Sequence, residues 1–201
     1  MGMAKKEFNF SKRANSYDKG IEGRFSKRFY RLLQRDVRFD AGARILDVGC
    51  GTGALLKRLR ADNIAEVYGI DTDANMIAVA KRQCPDCSFQ IAPSEKIPFA
   101  DKSFDVLTAC MAYHHFSDKA GFAREAARVL KPGGALYIAD PKFPLIIRAG
   151  INGLLRLFKV VGEFYTAREI GGAFAAYGFE LSGLAYDGYA QVVRLKRQEG
   201  L

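Results

Sequence analysis

From Ala43 onward, short apolar runs alternate with stretches whose apolar residues recur every three or four positions. Residues 44–48 read as a buried strand and 54–60 as a helix. A second strand is expected over 66–70 and a helix over 74–82. Residues 88–91 and 104–109 read as the third and fourth strands. The stretch 118–130 is helical, with Phe122, Ala126, Val129 and Leu130 as its apolar positions, and 135–139 is the fifth strand. Thr166 reads as an N-cap, with Glu169 three residues on completing a capping box. That helix runs to Tyr177, and Gly178 breaks it. Residues 179–186 and 189–196 read as two final strands, an antiparallel closing pair. Strands alternating with helices place the chain in the α/β class, with a mostly parallel sheet covered on both faces.

The ends depart from this rhythm. Residues 7–38 carry two helical patterns, separated near Gly20 and Gly23 and studded with Phe8, Phe10, Tyr17, Phe25, Phe29 and Tyr30. Residues 145–161 are apolar but interrupted by Arg148, Arg156 and Lys159, which makes them too charged and too short for a membrane span.

A chain of 201 residues, 49% hydrophobic and 26% charged, suits one globular domain with its own core. The net charge of +9 sits in the flanks, because residues 41–140 hold 12 Lys/Arg against 12 Asp/Glu. Such basic flanks attract anionic substrates, phospholipid or RNA, or are simply solvated helix faces. Cys50, Cys84, Cys87 and Cys110 do not resemble a disulfide framework, and no signal-peptide pattern precedes them. The expected setting is therefore reduced and cytoplasmic. Cys84-Pro-Asp-Cys87 lacks a second pair and reads as an ordinary helix-to-strand turn, so no metal centre is expected.

The strongest local signal is Ile45-Leu-Asp-Val-Gly-Cys-Gly-Thr-Gly53, where a buried strand runs into three glycines and then a helix. Glycine suits a turn this tight, and it lets a ligand approach bare backbone. Gly49, Gly51 and Ala54 also satisfy a dinucleotide-binding pattern. Asp71 follows the second strand, where an acid accepts hydrogen bonds from ribose hydroxyls in either ligand class. Asp47 separates the two. A carboxylate there does nothing obvious for a pyrophosphate, but it complements a ligand bearing an ammonium and a sulfonium.

Asp47-Val-Gly-Cys-Gly-Thr-Gly53 resembles the first motif of the class I S-adenosylmethionine-dependent methyltransferases. The likeness extends through Tyr68-Gly-Ile-Asp-Thr-Asp73, Ser94-Glu-Lys-Ile-Pro-Phe-Ala-Asp-Lys-Ser-Phe-Asp105 and Arg128-Val-Leu-Lys-Pro-Gly-Gly134. It covers roughly residues 40–140. The nearest subgroup is similar to small-molecule methyltransferases acting on quinones and biosynthetic intermediates.

The resemblance implies a Rossmann-like three-layer sandwich with a seven-stranded sheet and an N-terminal helical cap over residues 1–40. Residues 41–201 would form the cofactor-binding domain, with an apolar lid at about 143–164. It also implies that Asp47, Gly49, Cys50, Gly51 and Gly53 hold the methionine end of S-adenosylmethionine, while Asp71 takes the ribose. Thr72, Met76, Ser94 and Glu95 would surround the adenine, Met111 would line the methionine portion, and Tyr17 would cover the cofactor. Pro93 stands where the family often has an Asp for the adenine amino group.

Methyl transfer from a sulfonium mainly requires alignment in a dry pocket, but a hydroxyl acceptor benefits from a base. The only histidines, His114 and His115, lie just past the fourth strand, where open α/β sheets place ligands. They are the candidate bases, with Tyr113 as a further alternative. The 143–164 segment reads as a lid for a hydrophobic or anionic small-molecule acceptor, as a helix packed on the core, or as a weak membrane-surface element. The competing functions are an RNA or protein methyltransferase, a non-catalytic S-adenosylmethionine-binding regulator, and a nicotinamide oxidoreductase. No recognisable RNA-binding module is attached, which weighs against a nucleic-acid partner.

Overall fold

A computed structural model of the chain describes residues 14, 17, 18, 20–60, 65–158 and 162–199. Seven strands form one sheet: β1 (Arg44–Val48), β2 (Glu66–Asp71), β3 (Ser88–Ile91), β4 (Phe104–Cys110), β5 (Leu130–Pro141), β6 (Phe179–Asp187) and β7 (Ala190–Arg197). Their order across the sheet is β3-β2-β1-β4-β5-β7-β6. The first five are parallel, while β7 inserts antiparallel between β5 and β6. The fold is a Rossmann-like three-layer sandwich, as expected.

Six helices accompany the sheet among the described residues: α1 (Ile21–Asp36), α2 (Ala54–Arg60), α3 (Ala74–Gln83), α4 (Lys119–Val129), α5 (Leu145–Leu157) and α6 (Ala167–Ala175). One apolar layer joins Phe29 and Leu33 of α1 to Leu55, Leu56 and Ile77 of α2 and α3. The other joins Phe122 and Val129 of α4 to Ile170 and Phe174 of α6. The helix starts follow the local chemistry. Asp73 accepts from the N–H of Asn75 and Met76, Asp118 from that of Gly121, and Thr166 and Glu169 form the expected capping box. Such caps contribute about 1 kcal/mol each.

Three differences from the sequence reading have physical causes. The strand β5 begins at Leu130 rather than Ala135, because Leu130 pairs with Phe104 across a register shift. Helix α1 runs through Gly23, where a break was expected. A Cβ on Gly23 would lie 2.4 Å from the Tyr17 carbonyl, so this glycine permits a close approach instead of ending a helix. The first of the two N-terminal helices lies outside the described residues. Finally, Cys84 and Cys87 are joined by a disulfide, contrary to expectation. The turn after α3, in which Cys87 N–H donates to the Cys84 carbonyl, brings their Cα atoms to 5.4 Å.

Candidate active site

The strands run outward from β1 to β2 and β3 on one side, and from β4 to β5 on the other. The crevice between the C-terminal ends of β1 and β4 is therefore the topological switch point, where such sheets bind ligands. The glycine loop leaves β1 on one side of it, and the turn Tyr113–His115 leaves β4 on the other. A cleft of about 300 Å³ lined by Gly42, Arg60, Glu66 and Tyr68 opens at the opposite ends of the strands, away from this crevice.

In the loop, Gly49, Gly51 and Gly53 all have positive φ, at 74°, 52° and 75°. The N–H groups of Gly49 and Cys50 both donate to the Ile70 carbonyl, which ties the loop to β2. Gly53 packs tightly, since a Cβ there would meet Phe89 and Ala80 at 3.0 and 3.1 Å. Gly51 is different: among the described residues nothing lies within 4 Å of where its Cβ would be. Its peptide is held open from below, where its N–H donates to Asp71 Oδ2 at 2.8 Å. Cys50 is buried against Gly69, and burial pushes its thiol well above the usual range.

Two carboxylates flank this loop. Asp47 is 2% exposed and accepts a 2.6 Å hydrogen bond from the Thr108 hydroxyl on β4. Burial raises its pKa to about 7 against that bond, and the neighbouring charge of Asp71 adds to the rise. Burial also raises the pKa of Asp71, opposed by hydrogen bonds from the N–H of Asp73 and Gly51. Asp73 is occupied as the α3 cap, so Asp71 is the acid at this strand end that faces the loop.

Of the expected adenine-side residues, Met76 is buried and packs with Ala14, Val79 and Tyr17. Thr72 is exposed, Ser94 is buried, and the Ser94 hydroxyl donates to Glu95 at 3.1 Å. Asp18 carries the N-terminal segment onto the loop: one oxygen accepts from the Thr52 hydroxyl at 3.0 Å and the other from the Gln83 amide at 2.7 Å. Met111 sits at the end of β4 with φ 56°, a conformation costly for a side chain and concentrated at functional sites.

The two histidines occupy different environments. His114 is 4% exposed, and its Nδ1 lies 2.8 Å from Oδ1 of Asp140, a buried residue at the end of β5. Its ring stacks on Phe164 at 5.0 Å and against His115 at 4.0 Å. His115 is half-buried beside Gly162. Asp140, Asp18 and Thr108 were not singled out from the sequence. The rule that picked the histidines, acids and bases at strand C-terminal ends, also picks Asp140.

Residues 46–138 match the family model of a methyltransferase domain. A demethylmenaquinone methyltransferase of Chlorobaculum parvum is 39% identical over 111 residues, covering 55% of this chain and 46% of that protein. A ubiquinone/menaquinone biosynthesis C-methyltransferase of Geotalea daltonii is 32% identical over 158 residues, covering 73% and 63%. The chain thus spans less than two thirds of these relatives' own length. The Haloferax volcanii protein solved in complex with the Trm112 methyltransferase activator superposes with a TM-score of 0.82 at 20% identity, over 94% of this chain and 98% of that one. The linked motifs, the switch-point glycine loop and these sequence similarities agree: residues 46–138 form a methyltransferase domain of the class I S-adenosylmethionine-dependent kind.

Proposed function

We propose that this protein moves the methyl group of S-adenosylmethionine onto a small hydrophobic or anionic acceptor, and that a quinol ring is the acceptor class to test first. The observation that supports it is the Gly51 peptide, which no described residue covers and which is held between one buried carboxylate before it and another after it. The names of the relatives in quinone biosynthesis suggest the acceptor class.

The residues present fit the cofactor. The Gly49–Gly53 backbone, with Cys50, holds the methionine end, and Asp47 faces its ammonium. Asp71 takes the ribose hydroxyls, Thr72, Met76, Ser94 and Glu95 surround the adenine, Met111 lines the methionine portion, and Tyr17 closes over it. When bound, S-adenosylmethionine supplies an electrophilic methyl carbon on a sulfonium.

The protein's own part is alignment, exclusion of water and proton handling. Opposite a carboxylate, Nδ1 of His114 is the protonated nitrogen, which leaves Nε2 to accept the proton of an acceptor hydroxyl. Asp140 then steadies the imidazolium. The deprotonated acceptor would then be the nucleophile for that methyl carbon, whose carbon–sulfur bonding pair would stay on sulfur. Where a ring carbon is methylated, the hydrogen it carried would leave as a proton to solvent, and the imidazolium would return its proton to the ring oxygen and restore the hydroxyl. His115, in ring contact with His114, is the second candidate base. Phe143 and Phe164, edge-to-face at 5.1 Å, give the acceptor side an apolar wall.

The test is incubation with methyl-labelled S-adenosylmethionine and reduced demethylmenaquinone, beside simple phenols, amines and thiols. The reading expects label in the quinol product and its loss in His114→Gln. S-adenosylhomocysteine binding with no label in any acceptor would instead make the chain a binding protein without turnover.

A further inference from the structure

Helix α5 is built inside out. None of its described side chains is buried, and it contributes to neither core layer. Its inward side is polar. Arg148 pairs with Glu169 and donates to the Phe164 carbonyl, while the Asn152 amide both accepts from the Phe164 N–H and donates to its C=O at 3.0 Å. At about 100° per residue, Ile146, Leu154 and Leu157 fall on the opposite side, flanked by Ile147 and Phe158. The first three are 86%, 56% and 72% exposed. The only other residues in that arc are Gly150 and Gly153, so it holds no polar side chain.

A continuous apolar face of this kind marks a surface that meets something other than water. The charges around it favour a bilayer over a protein groove. Apart from the inward-facing Arg148, the chain between Asp140 and Glu163 holds Lys142, Arg156 and Lys159 and no carboxylate at all. Beside the helix start, Lys142 Nζ lies 4.3 Å from the ring centroid of Tyr186, itself 47% exposed. Lysine and tyrosine are the side chains that settle at headgroup level, with their apolar parts lowered and polar tips raised. An apolar groove gives no reason to exclude acids, whereas an anionic headgroup layer does. At 13 residues α5 is too short to cross a bilayer, and no described helix is long and apolar enough to do so.

The helix also stands at the acceptor end of the fold. It follows β5, whose Asp140 holds His114, and its Asn152 fixes the backbone of Phe164, whose ring stacks on His114. We infer that α5 lies in the interfacial layer of an anionic membrane, and that the acceptor reaches His114 from that layer. The source of the acceptor rests on the methyl-transfer reading; the docking does not.

The experiment is flotation of the full chain with vesicles of phosphatidylglycerol and phosphatidylcholine, beside vesicles of phosphatidylcholine alone. The chain is expected to float with the anionic vesicles and to bind the neutral ones far more weakly. The double variant Leu154→Glu/Leu157→Glu is expected to lose at least about tenfold in vesicle affinity, since it removes two large apolar side chains from the buried face. Both positions are exposed, so retained S-adenosylhomocysteine affinity in the variant certifies its fold. Equal flotation of parent and variant would overturn the inference, because the net charge alone would then be responsible. So would absence from anionic vesicles, including the case where sedimentation shows a dimer that the same substitutions dissolve. None of these readouts requires turnover, so a failed methyl-transfer assay leaves the result interpretable.

Discussion

Asp140 grips His114 twice: Oδ1 lies 2.8 Å from the imidazole Nδ1, and Oδ2 accepts from the backbone N–H of the same residue at 3.0 Å. The two residues come from the ends of neighbouring strands, β4 and β5, so the grip fixes both the turn and the ring orientation. A general base contributes about 10²–10⁴-fold to rate, and the proposed function gives that role to His114. His114→Gln is therefore expected to lower kcat on a hydroxyl-bearing acceptor by about that factor, with S-adenosylhomocysteine affinity changed little. Asp140→Asn is expected to lower kcat by less, because the ring remains but its tautomer is no longer imposed. Single-turnover rates and calorimetric titration together check both, and wild-type rates in His114→Gln would remove His114 from the chemistry.

The glycine loop, the acid after β2 and the Thr166–Glu169 capping box were legible because their partners lie a few residues away or follow from strand order. Asp140 was not, because 26 residues separate it from His114 and it ends an apolar run that reads as an ordinary strand. The same holds for Asp18, which reaches Thr52 across 34 residues. Helix α5 illustrates a subtler loss. Its period is visible in the sequence, but only the packed structure shows that Arg148 and Asn152 face inward and the apolar side faces out.

The raised pKa of Asp47 has a consequence for stability. Its carboxyl ionises near 3.8 when solvated and at about 7 in the fold, so between those values the folded state holds a proton that the unfolded state has lost. The contribution of this group is fully present below about pH 4 and is lost as pH rises towards 7, by up to about 4 kcal/mol. Asp47→Asn is expected to flatten that decline and to melt higher than the parent at pH 8. Thermal melts across this range without ligand provide the check.

The same group couples pH to cofactor affinity in the opposite sense. A ligand ammonium needs the ionised carboxylate, whose fraction rises from about one tenth at pH 6 to about nine tenths at pH 8 for a pKa near 7. S-adenosylhomocysteine affinity is expected to climb roughly tenfold over that interval and to become weaker and nearly pH-independent in Asp47→Asn. A flat profile in the parent protein would separate Asp47 from the ligand.

Asp71 holds the Gly51 N–H from below, and the proposed function also gives its carboxylate the ribose hydroxyls. Asp71→Ala is expected to weaken S-adenosylhomocysteine binding by about 1–3 kcal/mol, from lost charge-assisted hydrogen bonds. Titration calorimetry measures it directly. Unchanged affinity would mean that the ribose lies elsewhere.

Two glycines of this region make opposite predictions, and the contrast isolates the cradle. At Gly69 a Cβ would lie 2.8 Å from Cys50 Sγ and from Phe89 Cδ1, so Gly69→Ala has to displace core atoms and lowers stability whether or not ligand is present. At Gly51 no atom of the described residues stands within 4 Å of the new methyl, and the intrinsic cost is the left-handed φ of 52°, about 1–2 kcal/mol. Gly51→Ala is therefore expected to fold with a modest drop in melting temperature, yet to lose cofactor affinity by a larger factor than its stability loss explains. The added carbon would occupy the space through which the ligand meets bare backbone. Parallel melts and S-adenosylhomocysteine titrations of the two variants decide it: a Gly51→Ala protein that binds as the parent does would leave that space without a ligand and the loop without its assigned role.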